Sequence, residues 1–128
     1  MPQWRAAVDI PATARGPAAA RRVVAALLPA WELDDLAQDA ELVISELVTN
    51  AMSHAAGTDS FALELARRDD GLRIALADGS ALRPVIGDLA HHRSGGRGMA
   101  IIQALASAWG AEDREDGKCV WVDIDRSV

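Results

Sequence analysis

The elements legible along this chain run β, α, α, β, β, a long irregular stretch, α, β, β, and that order predicts an α+β two-layer sandwich. The expected sheet is mainly antiparallel but mixed, with about five strands and three helices on one of its faces. Three observations carry this expectation. Apolar residues recur at helical spacing in "AAARRVVAALL" and "ELVISELVTNAMSHA". Alternate residues are apolar in "FALELARR" and "LRIALAD", on either side of "DDG". A second alternating pair turns at "EDG" near the C-terminus.

Taken in order, residues 3 to 10, "QWRAAVDI", read as an opening strand that Pro11 ends. A first helix is expected from Pro17, a residue suited to the first helical position, to Leu28, with Pro29 as its stop. Arg21 and Arg22 give it a polar side; Val23, Val24, Leu27 and Leu28 give it an apolar one. The second helix starts at Asp34 or Asp35, where carboxylates suit the positive end of the helix, and runs to His54, with Gly57 turning the chain beyond it. Strands follow over 61 to 68 and 72 to 78. After the patternless Gly79 to Gly95, "GGRGMAIIQALASAWG" reads as a helix entered through glycines and stopped at Gly110. "AEDREDGKCVWVDI" is the last hairpin.

Composition narrows the function classes. A chain of 128 residues, half of them apolar, fits one domain over 1–128. Its net charge of −6 opposes polyanions, which excludes a non-specific binder of nucleic acid or of anionic lipid. Small anions are a separate matter, because backbone amides hold them whatever the global charge. The single cysteine, Cys119, has no internal disulfide partner. "MPQWRAAVDIPATARG" contains no apolar core of signal-peptide type, and no run approaches the roughly 18 apolar residues of a membrane span. The expectation is a soluble, cytoplasmic protein with no membrane partner and no direct nucleic-acid partner.

Three places carry polar groups that packing alone does not ask for. On a wheel at about 100° per residue, Ala40, Val43, Ile44, Leu47, Val48, Ala51 and Ala55 fill one arc of the second helix, while Ser45, Thr49 and Ser53 face away. Glu46 and Asn50 fall on the rim of the arc and His54 just inside it. A rim position suits a solvated boundary residue and equally a group lining a cavity. Gly95, Gly96 and Gly98 leave the first amides of the following helix open, as a phosphate site needs, and Arg97 adds a positive charge. A flexible, glycine-capped helix entry has the same composition. Asp78, ending an apolar strand before Gly79, either begins a turn or offers a carboxylate to an exocyclic amine.

In their order, "SELVTNAMSHA", "LADGS", "GGRGMAIIQALASAWG" and "GKCVWVDI" resemble, over nearly the whole chain, the Bergerat (GHKL) ATP-binding fold of gyrase-type ATPases, heat-shock chaperones, histidine kinases and mismatch-repair ATPases. More closely, "ELVTNA", "GRG" before a helix, "WG" after it and "GK" before "VW" resemble the small anti-sigma factor serine/threonine kinases. The resemblance implies ATP and Mg²⁺ as cofactors. It implies Glu46 as the glutamate that acts as general base or orients the attacking hydroxyl, and Asn50 as the Mg²⁺ ligand beside phosphate oxygens and water. Such a site suits an ion that prefers oxygen and keeps several waters. It implies Asp78 as the acceptor for the adenine amine, Gly96, Arg97 and Gly98 as the phosphate-side loop and helix entry, and Gly79 to Gly95 as the nucleotide lid. His54 gets a structural or pocket-edge role, and His91 and His92 are read as solvated loop residues rather than metal ligands.

Two departures from the related pattern stand out: Ser80 replaces a glycine of the wider superfamily, and Cys119 stands where a threonine between "GK" and "VW" helps hold adenine. Cys119 is therefore expected in the pocket wall, as a poorer hydrogen-bond partner than a hydroxyl. The activity implied is transfer of the ATP γ-phosphate to a serine or threonine of an anti-anti-sigma (STAS-type) partner, or sequestration of a sigma factor. A binding module without phosphoryl transfer is the alternative, and a histidine-kinase fragment a weaker third. Trp4, Trp31 and the Ala-rich first helix fit either core packing or a contact with a sigma factor or a second copy in a homodimer.

Overall fold

A computed structural model of the chain describes residues 4–54, 59–78, 96–114 and 117–126. Strand β1 (Arg5–Pro11) leads into α1 (Gly16–Ala30). A 3₁₀ turn (Asp34–Leu36) then opens α2 (Ala37–His54). The hairpin β2 (Ser60–Arg68) and β3 (Gly71–Asp78) follows. Helix α3 (Gly96–Leu105) precedes the hairpin β4 (Ala108–Arg114) and β5 (Gly117–Asp125). The strands form one sheet in the order β1-β2-β3-β5-β4, and every pairing is antiparallel. The two-layer α+β architecture is as expected, with the sheet antiparallel throughout rather than mixed.

Alternation along the strands decides which residues meet the helices. Phe61, Leu63 and Leu65 of β2, Leu72, Ile74 and Leu76 of β3, and Val122 and Ile124 of β5 are buried together with Val24 and Leu28 of α1, Val43, Ile44, Leu47 and Val48 of α2, and Ile102 of α3. Helix α2 is the central one: it packs against α1 on one side and α3 on the other, and it touches β3 and β5 below.

Three expectations about element ends give way to physical detail. Helix α1 does not stop at Pro29 but runs on to Ala30, because proline's missing N–H and its ring clash remove support only from the preceding turn. The stop is Glu32, which adopts the left-handed conformation at φ 61°. The Leu33 amide donates to the Leu28 carbonyl at 2.8 Å and the Glu32 amide to the Pro29 carbonyl at 3.1 Å. This pair of bonds is the Schellman closure, and its usual apolar contact is supplied by Leu28 and Leu33, both fully buried. Arg126 donates to the Glu32 carbonyl and, at 3.1 Å, to the Asp35 carboxylate, tying the end of the sheet to this corner.

Helix α3 likewise ends at Leu105, five residues before Gly110. The Ser107 amide is already captured by the Asp123 carbonyl at 2.8 Å, so pairing with β5 takes over from the helix. Gly110 lies within β4 opposite Trp121, where a Cβ would approach the indole ring to 2.9 Å. Its task is clearance for an aromatic ring. Gly71 plays a similar part after the two-residue Asp69–Asp70 turn: a Cβ there would stand 1.9 Å from the Ile124 carbonyl oxygen.

The tryptophans near the N-terminus are accounted for within the chain. Trp31 is buried, Trp4 packs on it at 6.4 Å between centroids, and the Arg67 guanidinium lies 4.9 Å from the Trp4 ring while Nε donates to the Trp31 carbonyl at 2.9 Å. On the sheet face away from the helices, Arg73 grips Asp123 with two hydrogen bonds, from Nε at 2.7 Å and Nη2 at 2.8 Å, and stacks 4.5 Å from the Trp121 ring. Those bonds raise the pKa of Arg73 above the ordinary arginine value.

Glu32→Gly is expected to raise stability, because the left-handed conformation is strained for glutamate and free for glycine, while every backbone bond of the closure is retained. The gain is about 1 kcal/mol at most, since glycine also enlarges the unfolded ensemble. A lower urea midpoint than wild type would refute it.

Candidate functional site

The wheel drawn for α2 holds in the packed molecule. Val43, Ile44, Leu47 and Val48 are buried, Thr49 and Ser53 are exposed, and Glu46 and Asn50 are both half-buried. Ser45 departs from the expectation of facing away. It is half-buried against α1, accepting a hydrogen bond from Arg21 Nη1 at 3.1 Å and donating to the Glu41 carbonyl at 2.9 Å. Glu46 and Asn50 stand four residues apart, about 6 Å along the axis, on one edge of the helix. His54 is the last residue of α2, and its side chain lies outside the described residues.

Helix α2 links the remaining site positions, since it packs against α3 and touches β3 and β5. Gly96, Arg97 and Gly98 are the first three residues of α3, and no acidic residue occupies its first turn. Such an N-terminus, with amides unused by the helix and no carboxylate to repel an anion, has the chemistry of a phosphate site. Asp78 is the last residue of β3 and pairs in register with Phe61 of β2 and Lys118 of β5. The expected lid, Gly79 to Gly95, with Ser80, His91 and His92, lies outside the described residues. Among the described residues no three His, Cys, Asp or Glu side chains converge as a metal site. The oxygen-bearing side chains on this rim of α2 are the Glu46 carboxylate and the Asn50 carboxamide, both of the hard-donor type that Mg²⁺ prefers.

Cys119 requires a correction. It pairs with Ala77 and Glu112, one step out of phase with Asp78, and so belongs to the face that carries Arg73, Trp121 and Asp123. It is fully buried there. A residue on that face cannot line a pocket between sheet and helices. The residue that shares the register row of Asp78 is Lys118, which the motif comparison passed over. Simple parity marks it: Val120, Val122 and Ile124 must point to the core, so position 118 points the same way and 119 does not.

Residues 10–124 match the family model of the histidine kinase-like ATPase domain. The chain belongs to that family. No curated protein matches the sequence at a significant level. Membership makes this an ATP-binding ATPase-type domain, and the five-stranded sheet with its helices on one face is the corresponding architecture. No helix among the described residues is long and apolar enough to cross a membrane.

A cavity of about 420 Å³ opens on the far face of the sheet, lined by Arg5, Glu64, Arg73, Glu112 and Trp121 around a floor of alanines. It lies on the face of the sheet away from the helices, and so away from Glu46 and Asn50 of α2. Because Cys119 faces away from the helices, Cys119→Ala is expected to leave ADP affinity unchanged in a calorimetric titration. A clear loss of affinity in a folded Cys119→Ala protein would return Cys119 to the pocket.

Proposed function

We propose that the protein is a regulatory, ATP-dependent serine/threonine kinase of the anti-sigma type, acting in the cytoplasm on a serine or threonine of a partner protein. The observation that carries this reading is the pair of half-buried residues, Glu46 and Asn50, one turn apart on the edge of the helix that packs against α3. In an ATPase-family domain these are the two groups that phosphoryl transfer needs beyond phosphate binding: a carboxylate to accept a proton and an oxygen donor for the metal.

When bound, MgATP supplies the phosphoryl group to be transferred. Glu46 accepts the proton of the acceptor hydroxyl, a role suited to a carboxylate that still reaches solvent and a partner. Asn50 holds Mg²⁺ through its side-chain oxygen. The amides of Gly96, Arg97 and Gly98 receive the phosphates, Arg97 adds positive charge, and Asp78 accepts from the exocyclic amine of adenine. The partner reading, an anti-anti-sigma protein as substrate and a sigma factor as target, rests on the sequence motifs.

Two variants separate these roles. Asn50→Ala is expected to abolish the Mg²⁺ dependence of ATP binding seen by calorimetry. Glu46→Ala is expected to bind ATP as wild type does, yet to transfer labelled phosphate to the partner about 10²- to 10⁴-fold more slowly. A flat wild-type titration at millimolar ATP refutes the nucleotide site. Binding without transfer to any partner refutes the kinase and leaves sequestration as the mode of action.

A further inference from the structure

Strand β1 is an edge of the sheet, with β2 its one strand neighbour among the described residues. Edge strands present unpaired N–H and C=O groups to any further strand, and proteins usually blunt them with lysine, an internal proline or a bulge. β1 uses none of these devices: its register with β2 is unbroken from Arg5 to Pro11, it contains no lysine, and its proline is its last residue. Two bonds at its ends show which backbone groups face outward. The Arg67 amide donates to the Trp4 carbonyl at 2.9 Å, and the Ala12 amide donates to the Asp59 carbonyl at 3.0 Å. In an antiparallel ladder both backbone groups of a residue point the same way, and successive residues point oppositely. Trp4, Ala6, Val8, Ile10 and Ala12 therefore turn their backbone groups to β2, while the N–H and C=O of Arg5, Ala7 and Asp9 point away from the sheet.

A second copy of the chain fits this edge. Two-fold antiparallel pairing must set outward residues against outward residues. The register centred on Ala7 does so, and it brings Arg5 of each copy opposite Asp9 of the other. Centring on Ala6 or on Val8 satisfies the backbone as well, but leaves Arg5 opposite Ala7 or Pro11. The charges thus select one register. Arg5 and Asp9 are both exposed, and so is Val8, a large apolar residue that is 38% exposed on the helix side of β1. In the register centred on Ala7, Val8 meets Ala6 of the second copy at a position without hydrogen bonds, where opposed side chains stand closest.

We propose that β1 is a homodimerisation edge, on which two copies pair antiparallel about Ala7 and join their sheets into one, with an Arg5–Asp9 pair on either side of the two-fold axis. The opposite signs at positions 5 and 9, on one face of one strand, make the edge complementary to itself. This inference is independent of the nucleotide reading.

The test is sedimentation of the full chain over a concentration series, with circular dichroism to confirm folding. Wild type is expected to shift from monomer to dimer as concentration rises. Ala7→Pro should be folded and monomeric, because the N–H it removes makes no bond to β2. Arg5→Asp and Asp9→Arg each set like charges against one another on both sides of the axis, and each should weaken dimerisation about tenfold. An equimolar mixture of these two variants should recover the dimer, since each strand of the mixed pair carries a single sign, opposite to that of its neighbour. A wild type that stays monomeric overturns the proposal. So does a dimer that survives Ala7→Pro, or a mixture that associates no better than its separate components. Should Ala7→Pro fail to fold, the charge variants and their mixture, which leave the backbone untouched, decide the matter by the same criteria.

Discussion

The register between β3 and β5 is the constraint on which the rest of this molecule depends. It sets Leu72 against Ile124, Ile74 against Val122 and Leu76 against Val120, and with them Asp78 against Lys118. Side chains alternate between faces, so a slip of one residue would turn a whole strand's apolar set outward. Each large apolar side chain buried contributes about 1.5–3 kcal/mol. Losing several at once would exceed the whole stability of a typical domain, about 5–15 kcal/mol. The same slip would exchange Lys118 for Cys119 on the helix side. Core packing thus determines which chemical groups stand at the end of β3.

Helix α2 depends on a second corner. The Schellman closure of α1 sends the chain back through buried Leu33 and Leu36, so α2 starts from an anchored point and lies across β3 and β5. Its apolar stripe then fixes its rotation about its own axis, and with that rotation the edge on which Glu46 and Asn50 stand. Arg126 closes the arrangement from the far end of the sheet by bonding to Asp35 and to the Glu32 carbonyl.

Much of this was legible in the sequence, because periodicity is a direct image of burial. The alternation in "FALELARR" and "LRIALAD" gave both strands to within a residue, and the wheel of "ELVISELVTNAMSHA" gave Glu46 and Asn50 their half-buried rim. Element ends were less legible, because proline and glycine have more than one use. Pro29 is tolerated inside the last turn of α1, and Gly110 leaves room for Trp121, so neither marks a helix end. Cys119 was misassigned for a different reason. Its place beside "GK" and "VW" in a motif outweighed the parity of Val120, Val122 and Ile124, although parity is the physical quantity that decides a side chain's face. The partner's identity is not written in any of these patterns, since the surface that recognises a protein has no obligatory periodicity.

The clasp of Arg73 on Asp123, with Trp121 beside it, joins directly opposed residues of β3 and β5 on the face away from the helices. Apolar contacts on the helix side are tolerant of exchange among Leu, Ile and Val, but a two-pronged guanidinium–carboxylate pair is met in only one alignment of the strands. Substitutions can therefore accumulate in the core without the strands losing their alignment. The clasp is thus a second determinant of strand alignment, beside the core packing, for the row that ends at Asp78 and Lys118.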